Sequence, residues 1–172
     1  MVDKDLIPKS TTEEQSNSLE IAIKQKKFKD PWQKAAINII YTGSWLKYET
    51  TEFLRPFHLT AQQFNVLRIL RGQFPNGITT MEIRKRLLDK MSDTSRMVDR
   101  LERDGWVEKK KDEIDRRLVS VNISQKGLDV LAQIDSREKE MHRLIYGLKE
   151  EEAVQLSRLL DKVRLGLEKR ND

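Results

Sequence analysis

The chain has no cysteine, which excludes disulfide frameworks, thiolate nucleophiles, cysteine-rich zinc sites and thiol-based redox switching. Histidine occurs only at His58 and His142, and the one carboxylate at helical spacing from either is Glu138, four residues before His142. A transition-metal cage is therefore not expected, and no metal ligand is assigned. No apolar run approaches the roughly 20 residues that a bilayer-spanning helix needs. Met1-Val2-Asp3-Lys4-Asp5 lacks the basic-then-apolar order of a secretory signal, so the expectation is a cytoplasmic protein with no membrane partner. Gly-rich phosphate loops ahead of a helix and Gly-x-Ser-x-Gly elbows are missing too, and His58 has no nucleophile beside it. Neither an enzyme nor a cofactor is expected.

What the chain does have is charge. Its 172 residues are 35% charged and 37% hydrophobic, with a formal net charge of +5 and a pI near 9.4. This suits one soluble domain, or one domain with a helical appendage, that buries a real core. A modest basic excess among many charges of both signs points to a local cationic face, which favours nucleic acid over an acidic small substrate as partner.

Along the chain, Ser10–Glu20 is polar and offers little apolar area to reward ordering, so an arm that is mobile or weakly helical is expected. Pro31 suits a first helical position, and Trp32, Ala35, Ala36, Ile39, Ile40, Gly43 and Leu46 follow at three- and four-residue steps. A second apolar row, Ile37, Tyr41, Trp45 and Tyr48, lies beside the first, so this helix should pack on two sides, one of them another subunit. Gly43-Ser44 would allow a close approach or a bend, and Pro56 should stop the helix. Thr60-Ala61-Gln62-Gln63 has capping-box spacing, with Leu59 and Phe64 as a hydrophobic staple; Thr79-Thr80-Met81-Glu82 is a second box, opening a short helix with Met81, Ile83 and Leu87 or Leu88 as apolar positions.

Ser92 is then read as the cap of a third helix, whose inner side is Thr94, Met97, Val98 and Leu101 and whose outer side is Ser95, Arg96, Asp99, Arg100 and Arg103. After Gly105 the period changes to two, through Trp106–Lys111 and again through Leu118–Ile123, which makes a hairpin tipped by Asp112-Glu113-Ile114-Asp115-Arg116-Arg117. A helix followed by an arginine-tipped hairpin is a shape that reads duplex DNA. Ser124 caps a further helix, through Leu128, Leu131, Ile134, Met141 and Ile145 to Gly147, and a last one over roughly Glu150–Lys169 carries an apolar seam. Ile37 and Ile40 near one end of the chain, with Ala153, Leu156, Leu160, Val163 and Leu167 near the other, are the candidate interface with a second copy.

This order is that of a winged helix-turn-helix, and the residues resemble the MarR family of bacterial transcription regulators over roughly Pro31 to Lys169. The resemblance is carried by Leu59–Leu67, by Ser92–Val107 and by Asp115–Gly127, three pieces in the right order. Where the family often has an arginine two places after the first wing aspartate, this chain has Ile114. The resemblance implies a mainly α fold with a small β-wing: an N-terminal arm over 1–30, a helical dimerisation region over 31–56 and 125–172, and a DNA-binding winged helix-turn-helix over 57–124. It implies a homodimer on a pseudo-palindromic operator in double-stranded DNA, with repression the expected outcome. Ser92, Asp93, Thr94, Ser95 and Arg96 would enter the major groove, with Arg100 and Arg103 nearer the backbone. By match to the family's Asp-x-Arg pattern, Arg117 would enter the minor groove, oriented by Asp115, with Arg116 as a second candidate. Lys109, Lys110 and Lys111 would be sequence-blind phosphate contacts. A small aromatic or phenolic ligand would lie among Tyr41, Trp45, Tyr48 and His58. The alternative is a winged helix that docks an acidic protein without specific DNA binding.

Overall fold

Two reciprocal capping boxes, at Thr60 and Thr79, each open a helix. The computed structural model describes residues 18–89, 93–111, 119–137, 139–140 and 147–168. They fall into two compact units, one ending at Lys47 and the other beginning at Tyr48. Helix α1 (Leu19–Ala22) precedes the long α2 (Pro31–Leu54). The ammonium of Lys34 lies 2.6 Å from Glu20 and ties the two together, while the Asp30 carboxylate accepts the Gln33 N–H at 2.7 Å and caps α2. Helix α2 begins at Pro31 as expected and runs unbroken through Gly43, where an added Cβ would meet nothing within 4 Å among the described residues beyond the helix's own backbone. It ends at Leu54, and Pro56 sits in a 3-10 turn, Arg55–Phe57, where its missing N–H costs nothing.

Helix α3 (Ala61–Arg71) opens on the first capping box. The Thr60 hydroxyl accepts the Gln63 N–H at 3.2 Å and the Gln63 side chain accepts the Thr60 N–H at 2.9 Å, with Leu59 and Phe64 both buried beside it. Strand β1 (Ile78–Thr79) leads directly into α4 (Thr80–Arg86), where Thr79 and Glu82 repeat the box. The N–H of Thr79 donating to the Glu82 carboxylate holds that acid below the ordinary glutamate range. Ile83 faces the core, and of the pair Leu87 or Leu88 it is Leu87 that does so; Met81 is exposed, contrary to its reading as an apolar position. Two helical turns present only one i, i+4 row inward, and Ile83 and Leu87 fill it.

Helix α5 (Thr94–Arg103) is capped by Asp93, whose carboxylate accepts the Arg96 N–H at 3.2 Å. The cap thus falls one residue later than Ser92, which lies outside the described residues. Strands β2 (Val107–Lys111) and β3 (Val119–Ile123) pair antiparallel, with Val107 opposite Ile123, Lys109 opposite Val121 and Lys111 opposite Val119. β1 adds to the other edge of β3, Ile78 opposite Val121, so the sheet has three strands in the order β1-β3-β2 rather than the two expected. Two residues are too few to show a period in sequence. Helix α6 (Gln125–Ser136) stops at Arg137 instead of running to Gly147; Met141 and Ile145 lie outside the described residues. Helix α7 (Glu150–Glu168) follows.

The core lies in the second unit. Leu54, Leu67, Leu70, Ile83, Leu101, Leu131 and Ile134 are fully buried, and Val66, Val98, Val107 and Val121 close the gaps between helices and sheet. Among the described residues no helix is long and apolar enough to cross a membrane.

Candidate nucleic-acid interface

Helix α5 is held from beneath and bare above. Thr94, Met97, Val98 and Leu101 are buried, whereas Ser95, Arg96, Asp99, Arg100, Glu102 and Arg103 are exposed. Thr94, one of the residues expected to read bases, is only 4% exposed and serves as an anchor, because its position repeats the apolar step of Met97, Val98 and Leu101. Asp93, also expected near the bases, spends one carboxylate oxygen on the helix cap, and the other lies 3.2 Å from the Arg96 guanidinium. That exposed pair is worth about 0–1 kcal/mol, less than the about 1–3 kcal/mol of a bidentate arginine–guanine contact, so Arg96 can leave it for a base. Arg103 lies 3.5 Å from Asp104, and Arg100 has no carboxylate partner among the described residues.

The far end of α5 is locked onto α6. Gly105 takes φ +77°, the left-handed position that closes a helix and suits glycine. The Ser124 hydroxyl donates to the Gly105 carbonyl at 2.8 Å and accepts the Gly127 N–H at 3.1 Å, while the Ser124 N–H donates to the Trp106 carbonyl. Lys126 donates to the Asp104 carbonyl at 2.7 Å, with its ammonium 4.1 Å from the centre of the Trp106 ring. At the other end, Asn65 accepts the Leu88 N–H at 3.1 Å and Gln62 donates to Asp89 at 2.7 Å, latching α3 to the connection that enters α5.

Strand alternation separates the three wing lysines. Val107, Lys109 and Lys111 share one face of β2, and Lys110 lies on the other. Lys109 does not project to solvent as a phosphate contact would. Its ammonium lies 2.5 Å from Asp99 and 2.9 Å from Glu102, and hydrogen bonds to those two carboxylates raise its pKa above the ordinary lysine value. Lys110 and Lys111 are exposed. Asp115, Arg116 and Arg117 lie outside the described residues.

Of the residues proposed for a second copy, Ile37, Ala153 and Leu160 are half-buried and Ile40, Leu156, Val163 and Leu167 exposed. Among the described side chains helix α7 buries none, and Val154, Leu159 and Leu165 are exposed beside that row. In the first unit Tyr41 and Trp45 meet edge to face at 6.4 Å, and Trp45 is exposed. In the second, Tyr48 is exposed, and so is His58, which adopts φ +55° after the 3-10 turn. Glu138 and His142 lie outside the described residues. Sequence reasoning missed the supports of the site: Asp99 and Glu102 as partners of Lys109, Lys126 at the end of α5, and Arg137. The last lies 5.4 and 5.5 Å from the rings of Phe53 and Phe57 and pairs with Glu140. For Lys109 the signal was present, since it stands two residues from the inward Val107.

Helix, helix, exposed helix and three-stranded wing define a winged helix-turn-helix protein. The MarR family model matches residues 59–119. The multiple antibiotic resistance protein MarR of Escherichia coli K12 is 34% identical over 114 residues, covering 65% of this chain and 78% of that protein. Its counterpart in Salmonella typhimurium is 33% identical over 113 residues, 64% of this chain and 77% of that one. The chain belongs to the MarR family of DNA-binding, non-enzymatic transcription regulators. A crystal structure of a mutant E. coli MarR complexed with operator DNA superposes with a TM-score of 0.67 at 30% identity, covering 74% of this chain and 91% of that one. The organohalide-sensing regulator RdhR-CbdbA1625, solved bound to 2,4-dichlorophenol, shares the fold, with a TM-score of 0.72 at 22% identity over 83% of this chain and 86% of that one.

Proposed function

We propose that this chain is a cytoplasmic, homodimeric repressor that lays two copies of α5 in successive major grooves of a pseudo-palindromic operator. The observation that carries the reading is the outward row Arg96, Arg100 and Arg103 on a helix whose opposite face is fully packed. Ser95 and Arg96 lie nearest the bases, Arg100 and Arg103 run along the groove rim, and Lys110 and Lys111 attract backbone phosphates. Arg117, with Arg116 beside it and Asp115 orienting it, is assigned to the minor groove on the family pattern. The apolar seam of α7 supports pairing of two copies: half-exposed Leu156, Val163 and Leu167 gain about 25 cal/mol for each Å² that a partner covers. A small aromatic or phenolic anion would release DNA only if it bound the DNA-incompetent dimer more tightly.

Selecting bound fragments from the host genome, then titrating the best one and a random duplex across salt concentrations, tests the reading. A preferred palindrome whose affinity falls steeply with salt is expected. Equal binding to all duplexes, or none at low salt, refutes it and leaves protein docking as the use of the basic helix. Loss of the preference in Arg96→Ala, and of affinity in Arg117→Ala, assigns the two probes.

A further inference from the structure

The run of three lysines points Lys109 toward phosphates, and the fold turns it the other way. It stands on β2 opposite fully buried Val121, on the inward face of the sheet, and reaches across to Asp99 and Glu102, which lie three residues apart on one side of α5. Three charged groups from two elements thus meet at the base of the wing. Lys109 is 27% exposed against 63% for Asp99 and 41% for Glu102, so the cation is the enclosed member and the carboxylates are the exposed ones.

We propose that Lys109 is a positioning residue: it pins the base of the wing to the recognition helix and thereby sets operator preference, without touching DNA itself. The inference rests on the reading of α5 as the recognition helix. Two elements that enter different grooves discriminate together only if their separation is held, and β2 and α5 are joined on this face by the Lys109 bridge. The bridge has a second consequence. Asp99 and Glu102 share a helix with the arginines that approach phosphates, and Lys109 offsets one of their two negative charges where these would repel the duplex. The hydrogen bonds that raise the lysine pKa keep it charged throughout the working pH range.

A phosphate-binding residue and a positioning residue make opposite predictions. The tightest fragment selected from the host genome and a random duplex of equal length are each titrated across salt concentrations, with the parent, Lys110→Gln, Lys109→Gln, Lys109→Arg and the double variant Asp99→Asn/Glu102→Gln. Lys110→Gln should weaken both duplexes alike and flatten the salt slope by about 0.9 for each phosphate no longer neutralised. Lys109→Gln should leave the slope unchanged and lower the preference for the selected fragment by about tenfold, a coupling of the size measured for groups in one charge network. Lys109→Arg, able to bridge both carboxylates, should restore most of that preference. The double variant adds two units of positive charge per protomer, so it should bind random DNA more tightly while still losing preference. Simple attraction to phosphate does not give that pairing of effects.

Thermal midpoints within a few degrees of the parent establish that each variant is folded, and the double variant carries the test if Lys109→Gln is not. Lys109→Gln behaving like Lys110→Gln overturns the proposal, as does an unchanged preference in the double variant. A parent with no preference refutes the DNA reading and this inference with it. A parent with a preference that every Lys109 variant retains refutes this inference alone.

Discussion

Replacing Gly127 with alanine sets two physical effects against each other, and the structure decides the sign. Gly127 is the third residue of α6, where helix propensity alone would make alanine better by about 0.8–1.0 kcal/mol. The added Cβ, however, would lie 2.5 Å from the Trp106 carbonyl oxygen and 2.7 Å from Cγ1 of Ile123. The first is backbone and already accepts the Ser124 N–H at 3.1 Å, so it cannot move without loosening the cap. Overpacking of this kind costs about 1–3 kcal/mol, and each weakened cap hydrogen bond adds about 0.5–1.5 kcal/mol. A net loss of about 1–3 kcal/mol is expected. For a chain of this length each kcal/mol lowers the thermal midpoint by about 2–4 °C. The assay is reversible thermal or urea unfolding at fixed protomer concentration, because the midpoint of an associating protein depends on concentration. Gly43→Ala is the control: it is mid-helix, its Cβ would meet no neighbouring group within 4 Å among the described residues, and it should gain up to about 1 kcal/mol. A Gly127→Ala protein as stable as the parent would refute the close approach as the reason for glycine. Because the Trp106 N–H donates to the Leu101 carbonyl in the last turn of α5, the same substitution should also weaken operator binding more than random-duplex binding.

Three further outcomes are expected. Leu160→Asp, in the middle of the α7 seam, should convert a sedimenting dimer into monomer at micromolar concentration; an unchanged dimer would place the interface elsewhere. Glu82→Gln keeps the cap geometry but removes its charge. Because the folded Glu82 pKa lies below its unfolded value, the parent's advantage should be full at pH 7 and shrink as pH falls below about 4, through the lowered folded value. A difference in thermal midpoint that stays constant from pH 7 to pH 3 would show that the charge plays no part. Arg100→Ala, with no ion pair to lose among the described residues, should flatten the salt slope without lowering the midpoint; a fall in stability would mean that Arg100 supports the fold.

Local rules made much of this protein legible. Both capping boxes form with the residues read from their spacing, since such contacts span only three positions. The buried row of α5 follows from its apolar period, as does the exposed arginine row opposite. Other readings failed for equally physical reasons. Ser92 and Asp93 are both good caps, and only the backbone path into α5 selects Asp93. Met81 has the spacing of an anchor, but a two-turn helix touches the core along one row. β1 is too short for any period and exists because β3 has an edge to offer it.

By itself, then, the amino-acid order determined where α2, α3, α4 and α6 start, which sides of the helices are oily and that a cationic helix precedes a hairpin. Each of those features arises among residues a few positions apart. The tertiary structure alone decided which charges are available to DNA. Lys109 and Lys110 are chemically identical neighbours, but the pleat turns one toward Asp99 and Glu102 and the other to solvent. A charged side chain's partner depends on which element folds against it, and no periodicity along the chain encodes that distance.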